Sequence, residues 1–153
     1  MTKLKYQPVT QEDLQLVSKI EEQSFNRDFD KVFSLEELKE SYDELSKSKG
    51  EVKFIVLDKD IVGYYRWIES DNGSAEITDV AVIPKFQKMG IGSQILELLT
   101  RELARYDYLK IVVHPKNIYA IRLYLEYGFI PTEISKNYYD DGEGMLIMKR
   151  AKS

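Results

Sequence analysis

"VAVIPKFQKMGIGSQILELL", residues 80–99, begins as an apolar strand, breaks at Pro84, passes two glycines one residue apart and runs on as a helix. Glycine costs roughly 1 kcal/mol relative to alanine inside a helix, so Gly90 and Gly92 at a helix start need a reason. The plain reason is a strand-to-helix turn that demands a positive φ. The other is access. A helix N-terminus carries unpaired N–H groups and a partial positive charge, and residues without side chains let an anion reach them. Gln87 and Lys88 add a side-chain donor and a positive charge beside the turn. The spacing excludes two phosphate loops. GxxxxGK[ST] is absent, and GxGxxG fails because its third glycine position holds Ile95 and no acid ends the next apolar run, "LKIVV" at 109–113. An anion held here belongs to another ligand class.

Upstream of this stretch, "EVKFIVLD" (51–58) and "IVGYYRWIE" (61–69) are rich in β-branched and aromatic residues around a tight polar turn at 58–60, and so read as a hairpin. "DNGS" is the next turn and "AEITDVAVI" (75–83) the third strand of the set. Downstream, the helix runs to about Tyr106, with Ile95, Leu98, Leu99 and Leu103 on one apolar stripe. "LKIVV" shows no alternation, as expected of a strand buried on both faces. "NIYAIRLYLEYG" is a helix stopped by Gly128, and "FIPTEIS" and "GMLIMKR" are closing strands around a polar loop.

In the N-terminal part, residues 4–8 read as a strand. Thr10, with Asp13 three residues on, opens a helix through about Ser24. "SLEE" (34–37) is a capping box for a helix ending near Gly50. Between them, "FNRDFDKVF" (25–33) has no clear period and reads as a loop able to cover a site. The order is β-α-α-β-β-β-α-β-α-β-β. Meandering strands followed by a strand–helix–strand crossover imply an α/β (α+β) fold, with a mixed, mostly antiparallel sheet of six to seven strands covered by helices. No linker or repeat interrupts it, so 1–153 reads as one domain.

Composition narrows the function classes. At 153 residues, 43% hydrophobic and 31% charged, the chain is the size of one ordinary globular domain. It has no cysteine, which excludes disulfides, thiolate metal sites and cysteine nucleophiles, and suits a reducing cytoplasm. No metal site is expected. No apolar run reaches the ~18 residues of a membrane span. A net charge of −4 with interspersed signs argues against nucleic acid and favours basic partners.

Two motifs carry a resemblance. "VAVIPKFQKMGIGSQIL" resembles the acyl-CoA signature R/Q-x-x-G-x-G/A of the GNAT acetyltransferase superfamily, with Gln87, Gly90 and Gly92 in the pattern positions. "NIYAIRLYLEYGF" resembles the superfamily's N-x-x-A-x-x-x-Y-x-x-x-G-F, from Asn117 through Ala120, Tyr124 and Gly128 to Phe129. With the element order, the resemblance covers essentially the whole chain. It implies acetyl-CoA as co-substrate, lying between the strand that ends at Val82 and the strand at 111–113. Backbone groups of Val80 and Val82 would pair with the pantetheine arm. The N–H groups of Lys88, Met89, Gly90, Ile91, Gly92 and Ser93 would hold the pyrophosphate. Asn117 would hydrogen-bond the pantetheine.

Acetyl transfer to an amine has two proton problems. A lysine-like amine titrates near 10.4 and an α-amine near 8, so each must lose a proton before attacking, and the departing thiolate benefits from a donor. A placed acid or base contributes ~10²–10⁴-fold. The resemblance makes Tyr124, a phenol neutral at pH 7, the acid; by side-chain chemistry alone, between Ile121 and Leu125, it also reads as a core tyrosine. For the base, Val112 stands where N-terminal acetyltransferases often have Glu or His. His114 lies two residues on, but Pro115 ends the strand. "AEITDVAV" resembles the strand in which histone-type members carry a basic Glu, which makes Glu76 the candidate. Asp79, three residues later, falls on the opposite face of a regular strand, and a bulge would change that.

The segment "SKNYYDDGEGMLIMKR" (135–150) resembles the closing hairpin of ribosomal-protein N-terminal acetyltransferases, with Gly144 in place of their usual Asp. In those relatives a tyrosine pair helps hold the first residues of a peptide, which here implies Tyr138 and Tyr139. Three readings stand at this stage: a protein or peptide N-α-acetyltransferase, a small-molecule amine acetyltransferase for polyamines, amino acids or aminoglycosides, and a non-catalytic CoA-binding module. A monomer or homodimer acting on an amine is expected.

Overall fold

The computed structural model describes residues 3–24, 33–136 and 144–152. A seven-stranded sheet runs in the order β1-β2-β3-β4-β5-β7-β6. Its strands are β1 (Leu4–Pro8), β2 (Gly50–Leu57), β3 (Asp60–Ser70), β4 (Ser74–Val82), β5 (Tyr108–Val113), β6 (Ile130–Ser135) and β7 (Met145–Ala151). Four helices cover it: α1 (Leu14–Ser24), α2 (Leu35–Ser46), α3 (Ile91–Glu102) and α4 (Ile118–Glu126). The expected element order and the mixed, mostly antiparallel sheet are both present. Every strand pair is antiparallel except β4–β5, joined by the crossover through α3. Among the described residues no helix is long and apolar enough to cross a membrane.

Local signals account for most boundaries. Asp13 Oδ2 accepts the Thr10 N–H at 2.9 Å ahead of a short 3-10 turn that leads into α1. Ser34 and Glu37 exchange hydrogen bonds of 3.1 Å in both directions at the start of α2, a reciprocal cap. Two ends fall short of expectation. α2 stops at Ser46 and α3 at Glu102, each closing in i→i−3 bonds, Lys47 N–H to Glu44 O at 3.1 Å and Ala104 N–H to Arg101 O at 3.4 Å. Such tightening is the usual way a helix satisfies its last carbonyls, and it returns Gly50 to β2.

The helices divide between two cores. α3 packs Ile91, Ile95, Leu96 and Leu99 on one face of the sheet against Ala75, Ile77, Ile111 and Val113, with Ala120, Ile121, Leu123 and Tyr124 of α4 beside them. α1 and α2 bury Leu14, Val17, Ile20 and Leu38 on the other face, against Phe54, Tyr64 and Ala81. β5 corrects the sequence reading. Leu109, Ile111 and Val113 are buried while Tyr108, Lys110 and Val112 are half-exposed, so the strand alternates after all. An apolar run hid this because Val112 is hydrophobic on the face that α1 and α2 only partly cover.

Candidate active site

β4 and β5 hydrogen-bond in parallel only from Ser74–Tyr108 to Ile77–Ile111. Each continues beyond that rung, held on its far side by β3 or β7. The sheet therefore opens into a seam with Thr78 to Val82 on one lip and Val112 and Val113 on the other. A cavity of about 410 Å³ fills the seam on the α3 and α4 side, lined by Val80, Val82, Gln87, Lys88, Gly90 and Gly92 with Ser93, Asn117 and Tyr124. The structure brings these sequence candidates together. Met89 stays outside the lining and is 46% exposed.

The glycine turn has the positive φ of the plain reading. Gly90 is the N-cap of α3 at φ 79°, in the left-handed region, and Lys88 shares that region at φ 65°. A Cβ placed on Gly90 meets nothing within 4 Å, and one on Gly92 makes only ordinary contact with Leu123 at 3.7 Å. The first intrahelical bond is Gln94 N–H to Gly90 O at 3.1 Å. The N–H groups of Ile91, Gly92 and Ser93 have no place in that ladder, and the space in front of them is open.

The surrounding polar groups are placed by short local bonds. Gln87 Nε2 donates to Val82 O at 2.9 Å, so this side chain ties the turn to the end of β4. Asn117 Oδ1 accepts the Ala120 N–H at 3.2 Å as the cap of α4, which leaves its Nδ2 as the group able to serve a ligand. The Tyr124 ring lies tilted at 59° to that of Phe129, centroids 6.2 Å apart, and Tyr124 lines the cavity. His114 is buried against the cavity and accepts the Lys116 N–H on Nδ1 at 3.1 Å.

A second pocket of about 330 Å³ opens on the α1 and α2 side, lined by Glu37, Glu40, Glu44, Glu76 and Asp79 with Arg66 and Tyr64. It shares Ile77, Thr78, Asp79, Val112 and Phe33 with the first cavity. Glu76 pairs with Lys110 at 3.4 Å across the last rungs of the β4–β5 ladder.

The face of Asp79 is decided by a bulge. β3 pairs Arg66 with Asp79 and the next residue, Trp67, with Ile77, so Thr78 is an extra residue in β4. Ala75 and Ile77 face α3, and after the bulge Val80 and Val82 do so too, while Glu76, Asp79 and Ala81 face α1 and α2. Thr78 Oγ1 donates to Asp79 Oδ2 at 2.9 Å and accepts from Arg66 at 3.0 Å. Tyr64 hydrogen-bonds Asp79 from β3 and also donates to Glu21 Oε1 at 2.8 Å. Glu21 is fully buried, and its Oε2 accepts the Phe33 N–H at 3.2 Å.

Burial dominates the electrostatics of this chain of groups. It raises the Glu21 carboxyl from 4.5 to about 8, with Asp79 and Glu37 adding to the rise and bonds from Tyr64 and Phe33 opposing it. Asp79 is raised by burial and by Glu76, against Thr78, Arg66 and Tyr64. The Tyr64 phenol is pushed up by burial and by both carboxylates. Sequence reasoning missed Glu21 and Tyr64, which lie 43 positions apart. The one available signal was an acid at a stripe position of α1, following Leu14 and Val17 at helical spacing. Tyr138 and Tyr139 fall outside the described residues.

The acetyltransferase (GNAT) family profile matches residues 15–129. A putative [ribosomal protein bS18]-alanine N-acetyltransferase of Bacillus subtilis is 33% identical over 145 residues, covering 90% of this chain and 88% of that one. An N-alpha-acetyltransferase of Sulfolobus acidocaldarius is 28% identical over 149 residues, 91% and 87% of the two chains. An uncharacterized N-acetyltransferase of Methanocaldococcus jannaschii is 29% identical over 99 residues, and the match spans only 63% of its length. Among solved structures, aminoglycoside acetyltransferase AAC(6')-Ib in complex with coenzyme A and kanamycin superposes with a TM-score of 0.77 at 18% identity, covering 98% of this chain and 95% of that one. The seam, the cleared helix start and the profile match lead to one assignment: the chain belongs to the GNAT acetyltransferase family and is an acyltransferase.

Proposed function

We propose that the protein moves the acetyl group of acetyl-CoA directly to a primary amine, and that the amine is the N-terminus of a protein or peptide. The observation that carries the transfer is the seam itself, which joins the two pockets through Ile77, Thr78, Asp79 and Val112. One pocket fits a donor and the other an acceptor, with reacting atoms meeting where β4 and β5 part.

The donor side fits acetyl-CoA on the chemistry of its groups. The N–H groups opening α3, with Gly90 free of any side chain and Lys88 beside it, suit a pyrophosphate. Val80 and Val82 offer strand-edge backbone groups beyond the last β4–β5 rung, and Asn117 Nδ2 a donor, to an amide-bearing arm. When bound, acetyl-CoA supplies an activated acyl group on a thiol leaving group. Tyr124, lining the same cavity, then supplies a proton to the departing sulfur. The acidic face of β4, Glu76 and Asp79, takes the proton that the amine must lose.

On the acceptor side, five carboxylates against one arginine among the described residues favour a cationic group. Two relatives named for alanine and N-alpha acetyl transfer support a peptide N-terminus, and the Tyr138–Tyr139 resemblance agrees. A second reading, a polyamine or aminoglycoside-like acceptor, draws support from the acid-rich lining alone, which would suit a molecule with several charges. Acetyl-CoA turnover with alanine-first peptides, spermidine and kanamycin in parallel separates them. Peptide kcat/KM exceeding that of both small amines is expected, and the reverse order overturns the peptide reading.

A further inference from the structure

Both carboxylates on the acidic face of β4 lie near the seam, and they differ in what holds them. Glu76 lies below the opening, at the rung where β4 still pairs with β5, in an ion pair with Lys110. It lines only the acceptor pocket. Asp79 lies above that rung and lines both pockets, so it is the carboxylate at the junction where an amine nitrogen would meet the acyl carbon. Behind it stands the phenol of Tyr64, 1% exposed, and behind Tyr64 stands Glu21, which is 0% exposed and lines neither pocket.

We infer that Asp79 is the proton acceptor of the transfer reaction, and that Tyr64 and Glu21 form a buried positioning relay that fixes its orientation and its basicity. The inference rests on the proposed acetyl transfer. The ammonium N–H bond breaks as an O–H bond forms on Asp79, the freed lone pair attacks the acyl carbon, and the C–S bond breaks with the sulfur taking a proton from Tyr124. The second proton that the nitrogen loses as the amide forms restores the Tyr124 phenol, while the proton on Asp79 leaves to solvent.

The relay follows from the count of hydrogens. Tyr64 has one hydroxyl proton and two carboxylate neighbours. The 2.8 Å bond runs from the phenol to an ionised Glu21. Once Glu21, raised to about 8 by burial, carries a proton, its own hydrogen bonds the phenol oxygen and the phenol turns its proton to Asp79. Thr78 Oγ1 already donates to Asp79 Oδ2, so Asp79 is oriented from two sides. Arg66 and Thr78 hold the carboxylate toward its ionised form, while Glu76 and burial raise its proton affinity. Glu37 of α2 and Asp79 act on Glu21 in the same upward sense. The result is a fixed carboxylate more basic than a solvated one, which is what proton removal from an amine requires.

The test uses the full chain with acetyl-CoA and an alanine-first peptide or spermidine, whichever gives the faster turnover. Asp79→Asn is expected to lower kcat/KM at pH 7 by about 100-fold or more, with the dissociation constant for CoA within about twofold of wild type. That loss shrinks as pH approaches the acceptor amine's own pKa, because the amine then deprotonates unaided. Glu76→Gln loses less than Asp79→Asn. Tyr64→Phe moves the acid limb of the kcat/KM profile to higher pH by about half a unit or more, since it removes a bond that favours ionised Asp79. Asp79→Asn activity above a tenth of wild type, or a larger loss in Glu76→Gln, overturns the inference. If Asp79→Asn does not fold, an unmoved acid limb in Tyr64→Phe overturns it. A wild-type protein that binds no CoA and acetylates no amine overturns the proposed function instead, a result distinct from all of these.

Discussion

Gln87 Nε2 donates to the carbonyl oxygen of Val82 at 2.9 Å, so the side chain that begins the glycine motif is bonded to the end of the strand before it. The sequence suggests Gln87 as a donor to phosphate. One of its two amide hydrogens ties the end of β4 to the turn before α3. Gln87→Ala should cost about 1 kcal/mol of stability and weaken CoA about fivefold. Thermal melts and calorimetric titration read the two effects separately.

Gly90→Ala should show two distinct losses. At φ 79° an alanine is strained by roughly 1 kcal/mol, although its Cβ meets nothing in the protein itself. The stability loss should therefore stay near that value. The same Cβ projects into the space before the α3 N-terminus, so CoA affinity should fall tenfold or more. An alanine variant with a lower melting temperature and wild-type CoA affinity would remove the cradle role from this glycine.

Tyr124→Phe keeps the ring against Phe129 and deletes the hydroxyl. Steady-state turnover should drop about 100-fold, with CoA affinity unchanged. A KM increase at constant kcat would mean that Tyr124 holds substrate and donates no proton.

Glu21 makes stability depend on pH with an unusual sign for an acid. Its folded value of about 8 lies above its ordinary 4.5, so the native state binds the proton more tightly. Stability is greatest below pH 4.5 as far as this group is concerned, and falls as pH rises toward 8, by up to about 1.4 kcal/mol per unit. Glu21→Gln should flatten that fall. Chemical denaturation at pH 5.5 and 8.5 checks it: wild type should lose stability over this interval, and the glutamine variant should lose much less.

Local chemistry was legible in the sequence. The Ser34–Glu37 box, the Gly128 stop, the hairpin turn before Asp60 and the glycine turn all act within a few residues, and each appears in the structure. The gathering of Gln87, Gly90, Asn117 and Tyr124 around one cavity follows from two motifs whose order fixes a crossover. What escaped depends on pairing between distant strands. The bulge at Thr78 is a property of the β3–β4 register, and no residue in "AEITDVAV" announces it. Glu21 reads as one more helix acid until β3 carries Tyr64 beneath it. The half-exposed side of β5 depends on how far α1 and α2 reach across the sheet.

The extra residue in β4 gives the strand two parities. Up to Ile77 the odd-numbered positions face α3, and from Val80 onward the even-numbered ones do. Removing Thr78 would merge the two into one regular alternation, with Asp79 following Ile77 directly and staying on the face of Glu76, and Val80 staying on the face of Ile77. The extra residue therefore costs β4 nothing in the facing of its side chains, and what it adds is a hydroxyl: without Thr78 the strand would run straight, but Asp79 would lose the group that joins it to Arg66.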